Sequence, residues 1–382
     1  MTPTLTNKKV LVTGGAGFIG SHVVSDLIDH DNKVVVIDNL SSGKREALHP
    51  KAKFYKTDIL DKKMALIFER ECPDIVFHFA AQPLVYRAYV DPALTIETNI
   101  MGTVNVLEIC KNIRTIESII IVSSDKAYGK TETLPYTENY PLQGDHPYDV
   151  SKSAADLIAT TYFKTYDLPI VITRFSNVYG PGDYNLSRII PKIMESAIRN
   201  KELLLRGGGS MQREYTHVKD ISIGCIALAQ KTDIYKGQAF NFGSNNVFNG
   251  IELVEKIQNI LGIKIKYTLL HAPHNEIPKQ YLDWSKAKKN LLWEINEDCI
   301  NTLSPFTIRH KKKYICKKNE LIEDTTLKNL IEKKYFQIKK SDLLNKTIVA
   351  PILNTTTKNI QKNTIITKKL LKILLNKDEN IE

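Results

Sequence analysis

The stretch from Lys9 to Asp38 constrains this chain most, because it prescribes an order of elements. Lys9 to Thr13 (KVLVT) reads as a short buried strand, followed by GGAGFIG and an amphipathic stretch from Ser21 to Ile28. A second apolar strand, Lys33 to Ile37 (KVVVI), ends in Asp38. Gly14, Gly17 and Gly20 are spaced G-x-x-G-x-x-G. Glycines so placed allow a tight turn, a close approach of backbone to a pyrophosphate, and close helix-on-strand packing. The helix N-terminus supplies N–H groups and a partial positive charge for phosphates. An acid about twenty residues beyond the glycines can accept hydrogen bonds from ribose hydroxyls, and it repels a 2′-phosphate. The expected cofactor is therefore NAD rather than NADP, a preference that Lys44 and Arg45 could soften.

Two polar clusters carry candidate chemistry: Ser124-Asp125-Lys126 in IIIVSSDKAYG, and Tyr148 with Lys152 in HPYDVSK. Three intervening residues put Tyr148 and Lys152 on one helix face, about one turn apart. An ammonium there favours the phenolate, so a tyrosine that titrates near ~10 becomes a usable base at neutral pH. Ser124 closes an apolar strand, the place where open α/β sheets hold reactive groups. Asp125 and Lys126 add a second acid/base pair. One pair suffices for alcohol oxidation, so two point to more than hydride transfer.

Strand and helix signals alternate, which implies an α/β fold with a parallel sheet. Strands are expected at 9–13, 33–37, 53–56, 75–79, 118–123 and 169–174, and helices near 18–29, 61–71, 92–113 and 147–166. A smaller domain gathers from about Tyr179, with helices near 187–199, 219–230 and 250–261, while Gln238 to Phe242 returns to the sheet. His78 reads as a satisfied buried histidine, His217 as locally structural, and Tyr86 and Tyr89 as aromatic packing. The 382 residues carry a formal net charge of +11, but its location argues against nucleic acid. Residues 301–382 hold 18 Lys/Arg against 8 Asp/Glu, leaving 35 against 34 before them. No run approaches the ~20 apolar residues of a membrane span, and no secretory signal is visible. Cys72, Cys110, Cys225, Cys299 and Cys316 are scattered, which fits free thiols in a reducing, cytoplasmic setting and no metal site.

TGGAGFIGSH, the acid in VVVIDNLSSG, FHFAAQ, SSDKAYG, YDVSK and TRFSNVYGPGD together resemble the extended short-chain dehydrogenase/reductase family. The resemblance runs from about Lys8 to Trp293. It implies a Rossmann-type doubly wound parallel sheet (1–178, with a return segment near 238–243) and a smaller C-terminal substrate domain (179–300) that takes a nucleotide-sugar. On this resemblance Gly14, Gly17, Phe18, Ile19 and Gly20 line the pyrophosphate, and Asp38 and Asn39 meet the adenosine ribose. Asp58 and Ile59 flank adenine, and Ala80 and Ala81 approach the nicotinamide, with Gln82 beside them. Gln82, Asn99, Asn177, Arg188 and Arg213 are assigned to the substrate. Ser124, Tyr148 and Lys152 form the catalytic triad, with Tyr148 and Lys152 also reaching the cofactor. A homodimer through the long helices is expected because relatives form one.

The pair after the serine marks the branch. Simple 4-epimerases of the family carry small or neutral residues there, and dTDP-glucose 4,6-dehydratases carry Asp-Glu. The CDP-glucose 4,6-dehydratases and the inverting UDP-N-acetylglucosamine dehydratases carry Asp-Lys, as this chain does. The resemblance implies a 4,6-dehydratase of a nucleotide-activated hexose, with Lys126 as base at C5 and Asp125 as acid at O6. A 4-epimerase using Ser124, Tyr148 and Lys152 is the alternative, and a non-catalytic module that binds NAD or a sugar nucleotide is a third. After Trp293 the resemblance fails. Residues 301–382 form a basic extension of unassigned role, in which TIITKKLLKILL could make an amphipathic helix.

Overall fold

The computed structural model describes residues 5–270 and 277–295, with two short strands at Ile352–Leu353 and Asn359–Ile360. The expected amphipathic helix in the basic extension lies outside the described residues. The first half of the chain runs β1 (Lys9–Thr13), α1 (Phe18–Asp29), β2 (Lys33–Asp38), β3 (Lys53–Lys56), α2 (Lys63–Glu71) and β4 (Ile75–His78). Short α3 (Val85–Val90) and α4 (Pro92–Ile96) lead to α5 (Gly102–Lys111), β5 (Ser118–Ser124), α6 (Pro147–Tyr166) and β6 (Ile170–Phe175). Then come β7 (Asn177–Tyr179), α7 (Ile189–Arg199), β8 (Leu203–Leu205), β9 (Gln212–His217), α8 (Val218–Gln230), α9 (Thr232–Tyr235) and β10 (Ala239–Phe242). The described body closes with β11 (Val247–Phe248), α10 (Gly250–Leu261), β12 (Tyr267–Leu269), β13 (Lys279–Gln280) and α11 (Ser285–Leu291).

Seven parallel strands form the central sheet in the order β10-β6-β5-β4-β1-β2-β3. Its strands read as apolar runs because both faces are covered. Side chains alternate across the sheet, so Val10, Val12, Val34 and Val36 join one core with Leu27, Ile221 and Leu291. Leu11, Val35 and Ile37 join the other, with Phe68, Leu107 and Ala159. This is the Rossmann-like α/β fold that the alternating pattern predicts. The chain moves outward from β1 through β2 to β3, then crosses back to β4 on the other side of β1. Ligands of open α/β sheets bind outside the carboxyl ends at such a reversal.

A smaller sheet has β9 between β11 and β13, with β7 also paired to β9. Two compact units are distinguished. The first contains the residues up to Gly180, Leu204–Ile257 and the described part of Tyr267–Thr302. The second includes Pro181–Leu203 and Gln258–Lys266.

The expected single helix over 92–113 is instead broken by a π-turn at Glu97–Met101. The extra residue turns Asn99 inward, and its amide then bonds across to Gln82 and Ser151. Such insertions are frequent at functional sites. No described helix is long and apolar enough to cross a membrane, and Cys72, Cys110 and Cys225 are free thiols.

Candidate active site

Strand β5 delivers the reactive cluster. Ser124 ends it in extended conformation and caps the single turn Asp125–Tyr128, its Oγ accepting from Lys126 N at 3.3 Å. The same hydroxyl donates to Asp125 Oδ1 at 3.0 Å. Gly129 closes the turn at φ +70°, where a Cβ would overlap the carbonyl of Gln143. Asp125 is buried, and its Oδ2 has no hydrogen-bond partner. Lys126 Nζ lies 4.0 Å from Asp125 Oδ1 and bonds to Gln280 Oε1. With side chains only 3% and 17% exposed, this is no solvated loop ion pair.

Helix α6 brings the second pair. Pro147 starts it, and Tyr148 and Lys152 lie one turn apart, both buried. Lys152 Nζ donates to Val122 O at 3.0 Å, which ties the helix to β5. Burial lowers the Lys152 pKa to about 8. Burial also raises Asp149, beside Tyr148, to about 6 against the opposing pull of Lys126. Beneath the cluster Arg174 binds both carboxylate oxygens of Asp156 at 2.8 and 2.9 Å, and it donates to Tyr128 at 2.8 Å. This buried network fixes the floor from which Ser124 and Tyr148 project.

Glu214 and Gln280 complete the cluster, and sequence reading missed both. Glu214 on β9 accepts from Ser244 N at 2.6 Å and Leu282 N at 3.1 Å. Burial first, then the charge of Asp125, pushes it up to about 8. An acid amid QREYTH was the available signal; nothing around Gln280 in PKQYLD stood out.

The glycine-rich turn sits at the carboxyl end of β1. Gly14 adopts φ +72°, and a Cβ on it would lie 2.5 Å from Ala80 N. A Cβ on Gly20 would overlap Gly14 O, and Gly17 opens α1 with no side-chain cap. Phe18 and Ile19 form the first turn of that helix. Asp38 is buried and accepts from Ala16 N at 3.0 Å and Leu40 N at 2.7 Å, one bond per oxygen. Each oxygen keeps acceptor capacity for a ribose hydroxyl. Asn39 Nδ2 donates to Asp58 at 2.6 Å. The Ile59 side chain packs in the core against Gly102, so only its backbone faces outward from that contact. A Cβ-free cradle, an uncapped helix start and a buried acid suit a dinucleotide.

The residues expected at the substrate are less alike. Ala81 and Gln82 follow β4; the Asn99 carboxamide bonds the Gln82 backbone and Ser151 Oγ, while the Gln82 carboxamide bonds Thr95 Oγ1 and the Leu84 backbone. Asn177 donates to Glu214 O at 3.3 Å, and Arg213 Nη1 donates to Gln212 O at 2.8 Å. Arg188 belongs to the second unit and pairs with Asp183 at 3.2 Å. His78 sits between the hydroxyls of Thr13 and Thr103, at 2.7 and 3.1 Å, and His217 caps α8. Tyr86 and Tyr89 are 66% and 51% exposed on short α3, and the Tyr89 ring packs against His146 at 5.6 Å between centroids. Among the described residues no cluster of His, Cys, Asp or Glu could hold a metal ion.

Known proteins share this fold. The UDP-glucose 4-epimerase of Lactobacillus helveticus is 32% identical over 80% of this chain and 99% of its own length. The UDP-glucose 4-epimerase of Thermotoga maritima, solved with UDP-glucose, superposes with a TM-score of 0.73 at 32% identity, covering 78% of this chain and 97% of that one. The dTDP-glucose 4,6-dehydratase of Streptomyces venezuelae, solved with NAD, gives 0.71 at 30% identity, over 76% and 92%. The NAD dependent epimerase/dehydratase family model matches residues 10–243. With that match, and with a turn at β1 built to receive a dinucleotide, the chain belongs to the NAD dependent epimerase/dehydratase family and takes NAD as its cofactor.

Proposed function

We propose that this chain is a 4,6-dehydratase of a nucleotide-activated hexose. The observation that carries the reading is the buried Asp125–Lys126 pair, one residue beyond Ser124 and within 4.0 Å of each other. A hydride shuttle at C4 needs neither group. Gly14, Gly17, Phe18, Ile19, Gly20, Asp38, Asn39, Asp58, Ile59, Ala80 and Ala81 would hold NAD, which when bound would supply a reversible hydride acceptor for the sugar. Tyr148, kept ionisable by Lys152, takes the C4 hydroxyl proton, and Ser124 bonds the same oxygen. The resulting 4-ketone acidifies C5–H. Lys126 removes that proton, Asp125 gives its proton to the departing C6 hydroxyl, and a proton is returned to C5 as C6 receives hydride. Asp125 must then be protonated while Lys126 is neutral, so the two share one proton as a coupled pair. Arg213 and Asn177 on the β9 side are assigned to the nucleotide-sugar diphosphate and sugar, and Gln82, Asn99 and Arg188 to the substrate as well. The Asp-Lys pair fits CDP-hexose and UDP-N-acetylhexosamine substrates alike, and a panel of nucleotides distinguishes them.

A sugar-nucleotide 4-epimerase is the second reading. It is favoured by solved epimerases at the same similarity as the dehydratase and by the sufficiency of Ser124, Tyr148 and Lys152 for that reaction. Incubation with CDP-, dTDP-, UDP- and GDP-hexoses, followed by mass spectrometry and NMR, separates the two. Loss of one water to a 4-keto-6-deoxy product supports dehydration; a C4 epimer of unchanged mass supports epimerisation.

We also infer a homodimer. Ile96, Met101, Val150 and Leu157 stand 40–54% exposed along α4, the π-turn and α6, an apolar face that a second copy would cover.

A further inference from the structure

The Asp125–Lys126 pair depends on a distant part of the chain. Lys126 extends its amine to the carboxamide oxygen of Gln280. Gln280 lies on β13, parallel to β9 and paired with Arg213. The flanking backbone is clamped: Gln212 N donates to Pro278 O at 2.9 Å, and Tyr136 N to Tyr281 O at 3.0 Å. Leu282 N donates to Glu214 at 3.1 Å. Gln280 is wholly buried, yet its Nε2 makes no hydrogen bond, and neither does Asp125 Oδ2. The Tyr136 phenol is close enough to feel that amide, but without the geometry of a bond. A buried donor and a buried acceptor left open beside one lysine are costly unless a ligand meets them. Once Asp125 carries its proton, one hydroxyl oxygen can accept from both.

We propose that Gln280 is the positioning residue of Lys126: its oxygen holds the amine on an uncharged acceptor, and its nitrogen is left for a hydroxyl oxygen of the sugar. The proposal rests on the dehydratase reading. In that elimination the electrons of C5–H form the C5–C6 double bond as C6–O breaks. The C5 proton passes to Lys126 Nζ, and the hydroxyl leaves as water with the proton of Asp125. A neutral amine can donate one N–H to an amide oxygen and keep its lone pair for C5–H. A carboxylate in that place would hold an ammonium, whose lone pair is occupied. Asp125 and the buried Asp149 already pull Lys126 toward the ammonium, with Glu214 and Tyr136 close to the same carboxylates. A further charge would complete the block.

The test uses the full chain with NAD, the hexose nucleotide that it converts, and the variants Gln280→Glu and Gln280→Met, each checked for folding by thermal melting. Wild-type product should carry solvent deuterium at C5. Gln280→Glu should form product about 100-fold more slowly, with its pH profile shifted to the alkaline side. Reduced NAD should still appear on mixing, because C4 oxidation does not use Lys126. Gln280→Met should be slow without the alkaline shift. NMR titration of the Lys126 amine should show a raised pKa in Gln280→Glu alone. A dehydrating wild type with Gln280→Glu unimpaired would overturn the role of Gln280 only. If Gln280→Glu does not fold, a wild-type rate in Gln280→Met overturns it instead. A wild-type C4 epimer would overturn the dehydratase reading and the Gln280 role together.

Discussion

At the scale of single residues, two buried acid/base pairs divide the proposed reaction, and substitution should separate them. Lys126→Ala should lower dehydration about a thousandfold yet leave C4 oxidation visible as reduced NAD in a stopped-flow trace. Tyr148→Phe should lose that absorbance as well. Glu214 governs stability in neutral solution. Its carboxyl titrates at about 8 when folded against 4.5 when exposed, so the folded chain keeps a proton that the unfolded chain releases. Stability therefore falls as pH rises through that window, by up to ~1.4 kcal/mol per unit. His78, lowered to about 3 from 6.5, acts in the opposite sense, and its gain per pH unit fades as pH rises past 6.5. Lys152, at about 8 against 10.5, reverses the trend only above that value. Urea-unfolding free energies should thus decline from about pH 6.5 to 8, and the decline should vanish in Glu214→Gln. Ser124, Lys126, Tyr148 and Lys152 were legible because their spacing within one strand end and one helix turn is local. Gln280 and Glu214 were not, since strand pairing far along the chain brings them to the cluster.

At the scale of elements, most helices and strands lay within two residues of where hydrophobic periodicity put them, because a doubly covered sheet demands unbroken apolar strands. The π-turn at Glu97–Met101 was invisible, since a helical pattern does not announce one inserted residue. The turn after β1 is the element most exposed to a single atom. Gly14→Ala adds a Cβ 2.5 Å from Ala80 N at φ +72°, so backbone must shift at a cost of about 1–3 kcal/mol. Isothermal titration should show NAD affinity lost, and calorimetric melting should show a lower midpoint. Gly224→Ala offers a control: its Cβ would overlap the Phe242 ring in the core, away from the phosphate turn and from every proposed cofactor residue. It should lower the melting midpoint while changing NAD affinity far less than Gly14→Ala.

At the scale of the whole molecule, the exposed apolar face on α4, the π-turn and α6 should decide assembly. Met101→Glu with Leu157→Glu should turn a sedimenting dimer into monomer without disturbing NAD binding, since neither side chain belongs to the proposed cofactor residues. The family resemblance ended at Trp293, and that residue fastens the sheet border. Its ring meets Phe242 at 5.0 Å, and its Nε1 donates to Asp220 O at 2.8 Å. Phe242 ends β10, the strand that covers β6 at that border. A ribosome delivers β6 well before β10, and Trp293 later still. During that interval the nascent chain presents a bare strand border of the kind that recruits other chains. Synthesis interrupted between Phe175 and Ala239 would therefore leave an adhesive fragment in need of a chaperone, a hazard that ends when the last tryptophan emerges and locks the border strand down.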